Sequence, residues 1–173
     1  MKHVFRIATV VCCFNLMFCS GMRLYAQGKG QAKKPAAAVK VEMIRSDGVE
    51  LPAEFQVSLY ENLIQQLEKK GGFRHVYRDG DRNATDVPDL VVLRSTVRIF
   101  KPGSERKRQV TTVAGATSIT VHCQFTDPAG KVLLERDIEG KVRFLGGNLK
   151  ATYDFAKKAA DVARENLAPV AGT

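Results

Sequence analysis

The stretch that decides the fold is Leu-Val-Val-Leu-Arg-Ser-Thr-Val-Arg-Ile-Phe at residues 90–100. β-Branched and aromatic residues dominate it, as is typical of strands. Strand-like segments follow at residues 110–126, with a bulge or bend predicted at 114–116, and at residues 132–144. The tetrapeptide Asp-Pro-Ala-Gly at 127–130 separates these two, with a Pro that fixes φ and a Gly that permits positive φ. The three segments therefore predict an antiparallel meander.

Two amphipathic helices flank these strands. The first opens at Pro52, carries an apolar stripe and stops at Gly71-Gly72. The second follows Gly146-Gly147-Asn148, with Asn148 as its predicted N-cap. Short strands are predicted at residues 39–43 and 73–77, with no alternating βαβ units. The order β-α-β-β-β-β-α predicts an α+β two-layer sandwich, a mostly antiparallel sheet of about five strands with two helices on one face.

The N-terminus has the pattern of a secretory signal peptide. Basic Lys2, His3 and Arg6 precede an uncharged run at residues 7–18, and small residues follow up to Ala26. The run is shorter than the roughly 20 residues of a membrane span, so we expect no transmembrane segment in the mature chain. We predict cleavage after Ala26 and export to the periplasm or the exterior, with outer-membrane association as a further option.

Lipidation at Cys19 is the alternative fate of this N-terminus. The lipoprotein pattern has a Leu and then small residues before the cysteine. Leu16 fits that pattern, whereas Met17 and Phe18 are larger than it allows. Cys19 is therefore a weaker candidate than cleavage after Ala26.

The remaining chain divides into a flexible leader at residues 27–38, one α+β domain at 39–168 and a tail at 169–173. Three of the four cysteines lie in the signal peptide, so the mature chain keeps only Cys123 and forms no internal disulfide. It also keeps 24 of the 27 Lys and Arg residues against 18 acidic ones. This positive balance favours anionic partners, and export argues against nucleic acid.

The candidate contact with such a partner is Arg106-Lys107-Arg108. These residues lie at the tip of the hairpin predicted between residues 101 and 110, where they could contact an anionic lipid or glycan. The alternative is a charged hairpin end that serves solubility.

No other residues form a site with recognisable chemistry. His122 and Cys123 are adjacent, but neighbouring strand residues point to opposite faces, so they predict a core thiol rather than a nucleophile–base pair. His75 has no motif around it. Asp79 to Asn83 resembles the start of a calcium loop, but Ala84 and Leu90 stand where that loop needs Gly and Glu. We therefore predict no catalytic, cofactor or metal residues.

Several short segments occur along the chain in the order typical of one bacterial family. They are Val87-Pro88-Asp89-Leu90-Val91-Val92, Val113-Ala114-Gly115-Ala116, the run from Phe125 to Leu134, Gly146-Gly147, and Ala156-Lys157-Lys158-Ala159-Ala160-Asp161. Together they resemble domain-of-unknown-function family forty-four ten, whose members are exported or lipid-anchored. That family is more distantly similar to the TolB N-terminal domain and the soluble part of curli-secretion lipoproteins. Arg94-Ser95 and Thr117-Ser118 replace glycines usual in the family.

The resemblance implies an envelope protein that binds partners or assembles and is not an enzyme, and it supplies no binding residues. We therefore expect an exported partner-binding or assembly accessory that docks an envelope protein or self-associates. One alternative is an envelope hydrolase or small-ligand binder with a site built from loops. The other is a binder of anionic lipid or glycan through Arg106–Arg108.

Overall fold

The computed structural model describes residues 34–110, 115–143 and 147–168. Several predictions fall wholly or partly outside these residues: the signal peptide, the lipidation candidate Cys19, residues 27–33 of the leader, the bulge at residue 114 and the tail at 169–173. Among the helices that are described, none is long and apolar enough to cross a membrane.

Strands and helices alternate irregularly along the described residues. The strands are β1 Lys34–Pro35, β2 Ala38–Val41, β3 Arg45–Ser46, β4 His75–Tyr77, β5 Leu90–Lys101, β6 Thr117–Thr126, β7 Val132–Val142 and β8 Leu167–Ala168. The helices are α1 Ala53–Lys70, α2 Glu105–Val110 and α3 Lys150–Asn166, with a 3₁₀ turn at Arg82–Ala84. The predicted α+β class is confirmed.

Helix α1 forms where its sequence pattern predicts. Pro52 immediately precedes it, and because Pro has no backbone N–H, it leaves no unsatisfied donor at the start of the helix. Its apolar stripe is buried, with Leu59, Leu63 and Leu67 at 0% exposure. At the other end the Gly71 N–H donates to the Leu67 carbonyl at 2.9 Å, which closes the helix.

The central sheet has the strand order β4-β2-β5-β6-β7, with β3 also paired to β5. β5, β6 and β7 are antiparallel neighbours, so the predicted meander is confirmed. β2, however, runs parallel to both β4 and β5, which makes the sheet mixed. Because α1 carries the chain back between β2 and β4, both strands start at the same end of the sheet. This β-α-β unit is a feature that the sequence pattern did not predict.

Helices α1 and α3 share one hydrophobic core with one face of the sheet. α3 approaches β7 closely because it presents small side chains, among them Ala151 and Ala159, both fully buried. A Cβ on Gly140 of β7 would collide with the Ala151 carbonyl and lie 2.6 Å from the Phe155 Cβ. Gly140 is therefore required by the contact between α3 and the sheet.

The predicted hairpin before β6 is wrong in its local structure, because Glu105–Val110 forms helix α2. The Ser104 carbonyl accepts from the Arg108 N–H at 3.1 Å, and the Ser104 N–H donates to the Gly115 carbonyl at 3.0 Å. These bonds wind residues 105–110 into a turn of helix where the sequence favoured an extended chain.

The folded part begins earlier than the predicted boundary at Val39. β1 pairs in parallel with β8, and Ala36 and Ala38 are each 1% exposed. The leader assignment of residues 34–38 is therefore corrected. Composition alone missed it because small residues such as Ala36 bury little surface individually but fit where backbones lie close together.

Candidate interaction surface

The face of the sheet turned away from α1 and α3 is lined by polar side chains, and we call it the open face. Alternation along each strand puts every second residue on it. Its members on the three antiparallel strands are Arg94, Thr96 and Arg98 of β5, Thr120, His122 and Gln124 of β6, and Glu135, Asp137 and Glu139 of β7. Lys40 of β2, Glu42 just after β2 and Arg45 of β3 extend the same face. All are half-buried or exposed. This is the largest concentration of charge that the described sheet presents on one side.

His122 lies at the centre of this face, between two carboxylates. Its Nδ1 is 2.7 Å from Asp137 Oδ1, and its Nε2 is 2.8 Å from Glu135 Oε1. Ionised carboxylates only accept, so both contacts are hydrogen bonds when the ring carries both protons. With both nitrogens engaged, His122 has no nitrogen left to take a proton from a substrate.

Basic residues occupy the other side of the open face. Arg94 Nε lies 3.2 Å from both carboxylate oxygens of Glu42. Arg45 and Arg98 line a cavity of about 310 Å³ together with His122 and Gln124. Within the described part of the chain, neither Arg45 nor Arg98 has an ion-pair partner. Two guanidinium groups are thus available to a partner's acidic groups.

The thiol of Cys123 lies on the core side of the same strands, away from His122. Cys123 is 0% exposed, and its Sγ lies 3.8 Å from the hydroxyl of Ser95, itself buried. Burial raises the pKa of the Cys123 thiol to about 12. The strand alternation thus separates His122 from Cys123, as the sequence predicted.

The structure separates the three residues of the predicted anionic contact. Arg106 and Lys107 are exposed on α2, whereas Arg108 is 6% exposed. The Arg108 guanidinium donates to the Gly115 carbonyl at 2.6 Å and to Asn148 Oδ1 at 2.8 Å. Arg108 is therefore a buried structural residue, which corrects its predicted surface role. Contact of Arg106 and Lys107 with an anion stays a prediction.

Asn148 also differs from its predicted role as N-cap of α3. Its Oδ1 accepts from Arg108 and from the Thr117 hydroxyl, the latter at 2.8 Å. Leu149 occupies the cap position, without a side-chain hydrogen bond. A distant buried guanidinium competes for the amide oxygen of Asn148, and no local sequence pattern signals that competition.

The remaining candidates lie elsewhere and serve local structure. His75 stacks on Tyr77 at a centroid distance of 6.1 Å, on β4, which two strands separate from the β6 of His122. Asp79 accepts from the Met43 N–H at 3.2 Å, and Asp81 caps the 3₁₀ turn through the Asn83 N–H at 2.9 Å. Among the described residues, no group of three or more His, Cys, Asp or Glu side chains is placed to hold a metal ion.

A second cavity, of about 670 Å³, lies between α1, α3 and the end of β7. Val142, Leu149 and Tyr153 supply its apolar part, and Tyr153 is 47% exposed. Ser58 and Asn62 supply polar atoms on the α1 side. Their side chains bond to Thr152 Oγ1 at 2.9 and 2.8 Å, so they are held in place by α3.

Sequence reasoning missed the acidic partners of His122, because the turn at residues 127–130 does not by itself set the pairing beyond it. Near the turn Thr126 pairs with Val132, and the register then shifts by one residue, so that His122 lies directly opposite Asp137. Glu135, two residues earlier, shares the same face. Counting outward from the turn without that shift would have placed Arg136 opposite the histidine.

The fold and the open face together define the class: an α+β sandwich with one helix layer and a polar sheet surface. No family model matches the sequence, and no curated protein matches it. Among solved structures, the chain is similar to the PelC dodecamer from Paraburkholderia phytofirmans, at 15% identity over 82% of this chain and 96% of that one, with a TM-score of 0.57.

Two further solved structures are similar to this chain. A single-residue variant of the PelC dodecamer matches at 16% identity over 76% of this chain and 91% of that one, with a TM-score of 0.56. A minor lipoprotein from Acinetobacter baumannii matches at 18% identity over 76% and 96%, with a TM-score of 0.43. The PelC structures share the fold of this chain. Membership of family forty-four ten, and the links to TolB and curli-secretion proteins, stay predictions.

Proposed function

We propose that this chain is an exported, non-enzymatic protein of the bacterial cell envelope that binds a protein partner or copies of itself. The observation on which the proposal rests is the open face, where seven or more charged side chains lie among uncharged polar ones on one side of the sheet. A sheet face rich in Arg, Glu and Asp, with its histidine already engaged on both nitrogens, is suited to recognition. Catalysis would need a nucleophile or a free base there.

Three further features support the proposal. The signal-peptide pattern at residues 1–26 indicates export, and the resemblance to family forty-four ten implies an envelope location. The two PelC structures that share the fold are dodecamers. An assembly of identical chains is therefore a form that this fold supports, and β7, at one end of the main sheet order, has an edge that an assembly could cover.

The test is the state of the mature protein recovered from envelope fractions. Its intact mass would show cleavage after Ala26 or lipidation at Cys19, and light scattering after gel filtration would give its oligomeric state. We expect an assembly larger than a monomer, or a partner recovered by cross-linking from the same fraction. A chain that remains monomeric at high concentration and cross-links to no protein would contradict the proposal.

A second candidate function, small-ligand binding, is favoured by the cavity between α1, α3 and β7. Tyr153 offers an aromatic surface beside the polar Asn62, with Lys150 and Asp154 at the margin. Thermal stabilisation of the purified protein by members of a library of envelope sugars and peptides, lost on Tyr153→Ala, would support it. No stabilisation by any of them would count against it.

A further inference from the structure

Charge on the open face is divided between the two sides of β6. On one side lie the cations Lys40, Arg45, Arg94 and Arg98, with Glu42 as the acid among them. On the other side, three alternate residues of β7 are acidic, Glu135, Asp137 and Glu139, and the next residue on this face, Lys141, forms an ion pair with Glu139. β6 itself contributes Thr120, His122 and Gln124. The described open face is thus basic at β3–β5, close to neutral at β6 and acidic at β7.

The same division repeats from row to row across the sheet. Arg94 is in register with Gln124, and Gln124 with Glu135. One step along, Arg45 pairs with Thr96, which is opposite His122 and then Asp137. Each of these rows therefore runs from a cation through β6 to a carboxylate.

We propose that the open face is a self-complementary interface, in which the basic side of one copy contacts the acidic side of a second copy. Rotation by half a turn about an axis parallel to β6 exchanges left and right but keeps each row at its own height. Arg94 then faces the second copy's Glu135, and Arg98, the extra residue at the register shift beside Ile99, lies next to the row that holds its Glu139. The inference rests on the proposed self-association and names its surface.

The distances of sheet packing are compatible with this arrangement. Facing sheets pack about 10 Å apart, a gap that Arg and Glu side chains from both copies can span. With β6 on the axis, β5, β6 and β7 of the two copies overlap, and three strands spaced about 4.8 Å apart and about 33 Å long present roughly 480 Å² per copy. That is below the roughly 800 Å² per partner of a standard interface, so we expect association to be moderate and sensitive to salt.

The charge pattern favours a second copy over a uniformly charged partner. An anionic polymer attracted to Arg45 and Arg98 would be repelled by Glu135, Asp137 and Glu139 on the same face. A polycation would meet the reverse situation. A surface that carries both signs in mirrored positions fits a partner with the same pattern, and an identical chain always has it.

The experiment reverses each side of the face separately in the mature chain. The basic-side variant carries Arg45→Glu and Arg98→Glu, and the acidic-side variant carries Glu135→Arg and Glu139→Arg. A control variant, Lys69→Glu with Lys157→Glu, makes the same charge change at exposed positions of α1 and α3. Self-association is measured by sedimentation velocity at low and high salt, and folding by circular dichroism and thermal unfolding.

We expect each open-face variant to self-associate at least tenfold more weakly than the wild type, and the control to match it. Mixing the two open-face variants should restore association as a one-to-one complex, because one face is then predominantly acidic and the other predominantly basic. A misfolded variant would not be rescued in this way, so rescue separates a lost interface from a lost fold.

Other results would overturn the inference. If the wild type assembles and both variants assemble equally well, the interface lies elsewhere while the proposed function stands. If the basic-side variant loses binding to an anionic envelope polymer but keeps its assembly state, the open face serves a different partner. If the wild type is monomeric at every concentration, both this inference and the self-association arm of the proposed function fail.

Discussion

The two faces of β6, the core face and the open face, differ in burial and charge although their residues alternate along the same ten-residue strand. Val121, Cys123 and Phe125 are 0% exposed beneath α1 and α3, whereas His122 and Gln124 lie half-buried on the open face. The core side is fixed by packing, so its residues follow from the need to bury apolar surface. The open side carries charges that the fold does not require. Changes that leave stability intact but alter behaviour should therefore map to the open side.

The largest difference in stability between the two faces is expected at Phe125. Phe125→Ala removes a fully buried ring and leaves a cavity, so we expect a loss of about 3 to 5 kcal/mol in the free energy of unfolding. Gln124→Ala, one residue away on the open side, should change it by less than about 0.5 kcal/mol. Urea unfolding of both variants measures this difference, and similar losses from the two would refute it.

The thiol of Cys123 offers the next largest effect. Burial raises its pKa from 9.0 for a free thiol to about 12 in the folded chain. At pH 8 the folded chain therefore holds about 1,000-fold less thiolate than the unfolded chain. Iodoacetamide should modify the native protein correspondingly slowly, and urea should remove the protection. Rapid alkylation of the native chain would contradict the burial.

The same shift fixes the sign of a pH effect. The unfolded thiol releases its proton first, so the stability contributed by Cys123 is present below pH 9 and is lost as the pH rises towards 12. In Cys123→Ala this part of the alkaline pH dependence should disappear. Unfolding measured at several pH values between 8 and 11 tests it, and an unchanged profile would contradict it.

A smaller effect is expected where the predicted anionic contact lies. Arg108→Ala leaves the Gly115 carbonyl and Asn148 Oδ1 short of a buried donor, so we expect a loss of about 2 kcal/mol. Arg106→Ala, two residues away and exposed, should cost less than about 0.5 kcal/mol. Equal melting temperatures for the two variants would show that the buried network contributes nothing.

The smallest effect is expected at the exposed pair of Arg78 and Glu61. A hydrogen bond from Arg78 holds the pKa of the Glu61 carboxyl below its usual value, so its contribution is present above the unfolded pKa and is lost as the pH falls. Both side chains are about half exposed, and water screens the pair. Glu61→Gln should therefore cost under about 0.5 kcal/mol, and less in high salt. Glu54→Gln is the control, and a loss several times larger at Glu61 would be the contrary result.

Much of the fold could be predicted because its signals are local. Residues 90–101, the turn at 127–130 and the stripe of α1 each specify their own structure. In that turn the Gly130 φ is +87° and the Gly130 N–H donates to the Asp127 carbonyl at 3.0 Å, as the residue types predict. The parallel position of β2 was missed because alternation shows which side of a strand is buried and does not name its neighbour.

The surface was harder to predict for the same reason. Helix α2 depends on the Arg108 guanidinium reaching Gly115 and Asn148, and such a contact leaves no periodic trace in the sequence. The three basic residues 106–108 look alike in the sequence, yet one is buried and two are exposed. The carboxylates around His122 were missed because a register shift between Phe125 and Thr126 separates the recognised turn from the histidine.

The pairing of β1 with β8 has one further consequence. Lys34 lies beside Leu167 and Pro35 beside Ala168, so the beginning and the end of the described chain meet side by side. The path of the backbone is therefore almost a closed loop, and a short linker between these strands should permit circular permutation with new ends at the turn of residues 127–130. In the permuted chain both ends would lie at the turn between β6 and β7, so a tether fused to either end would be attached there without a change of fold.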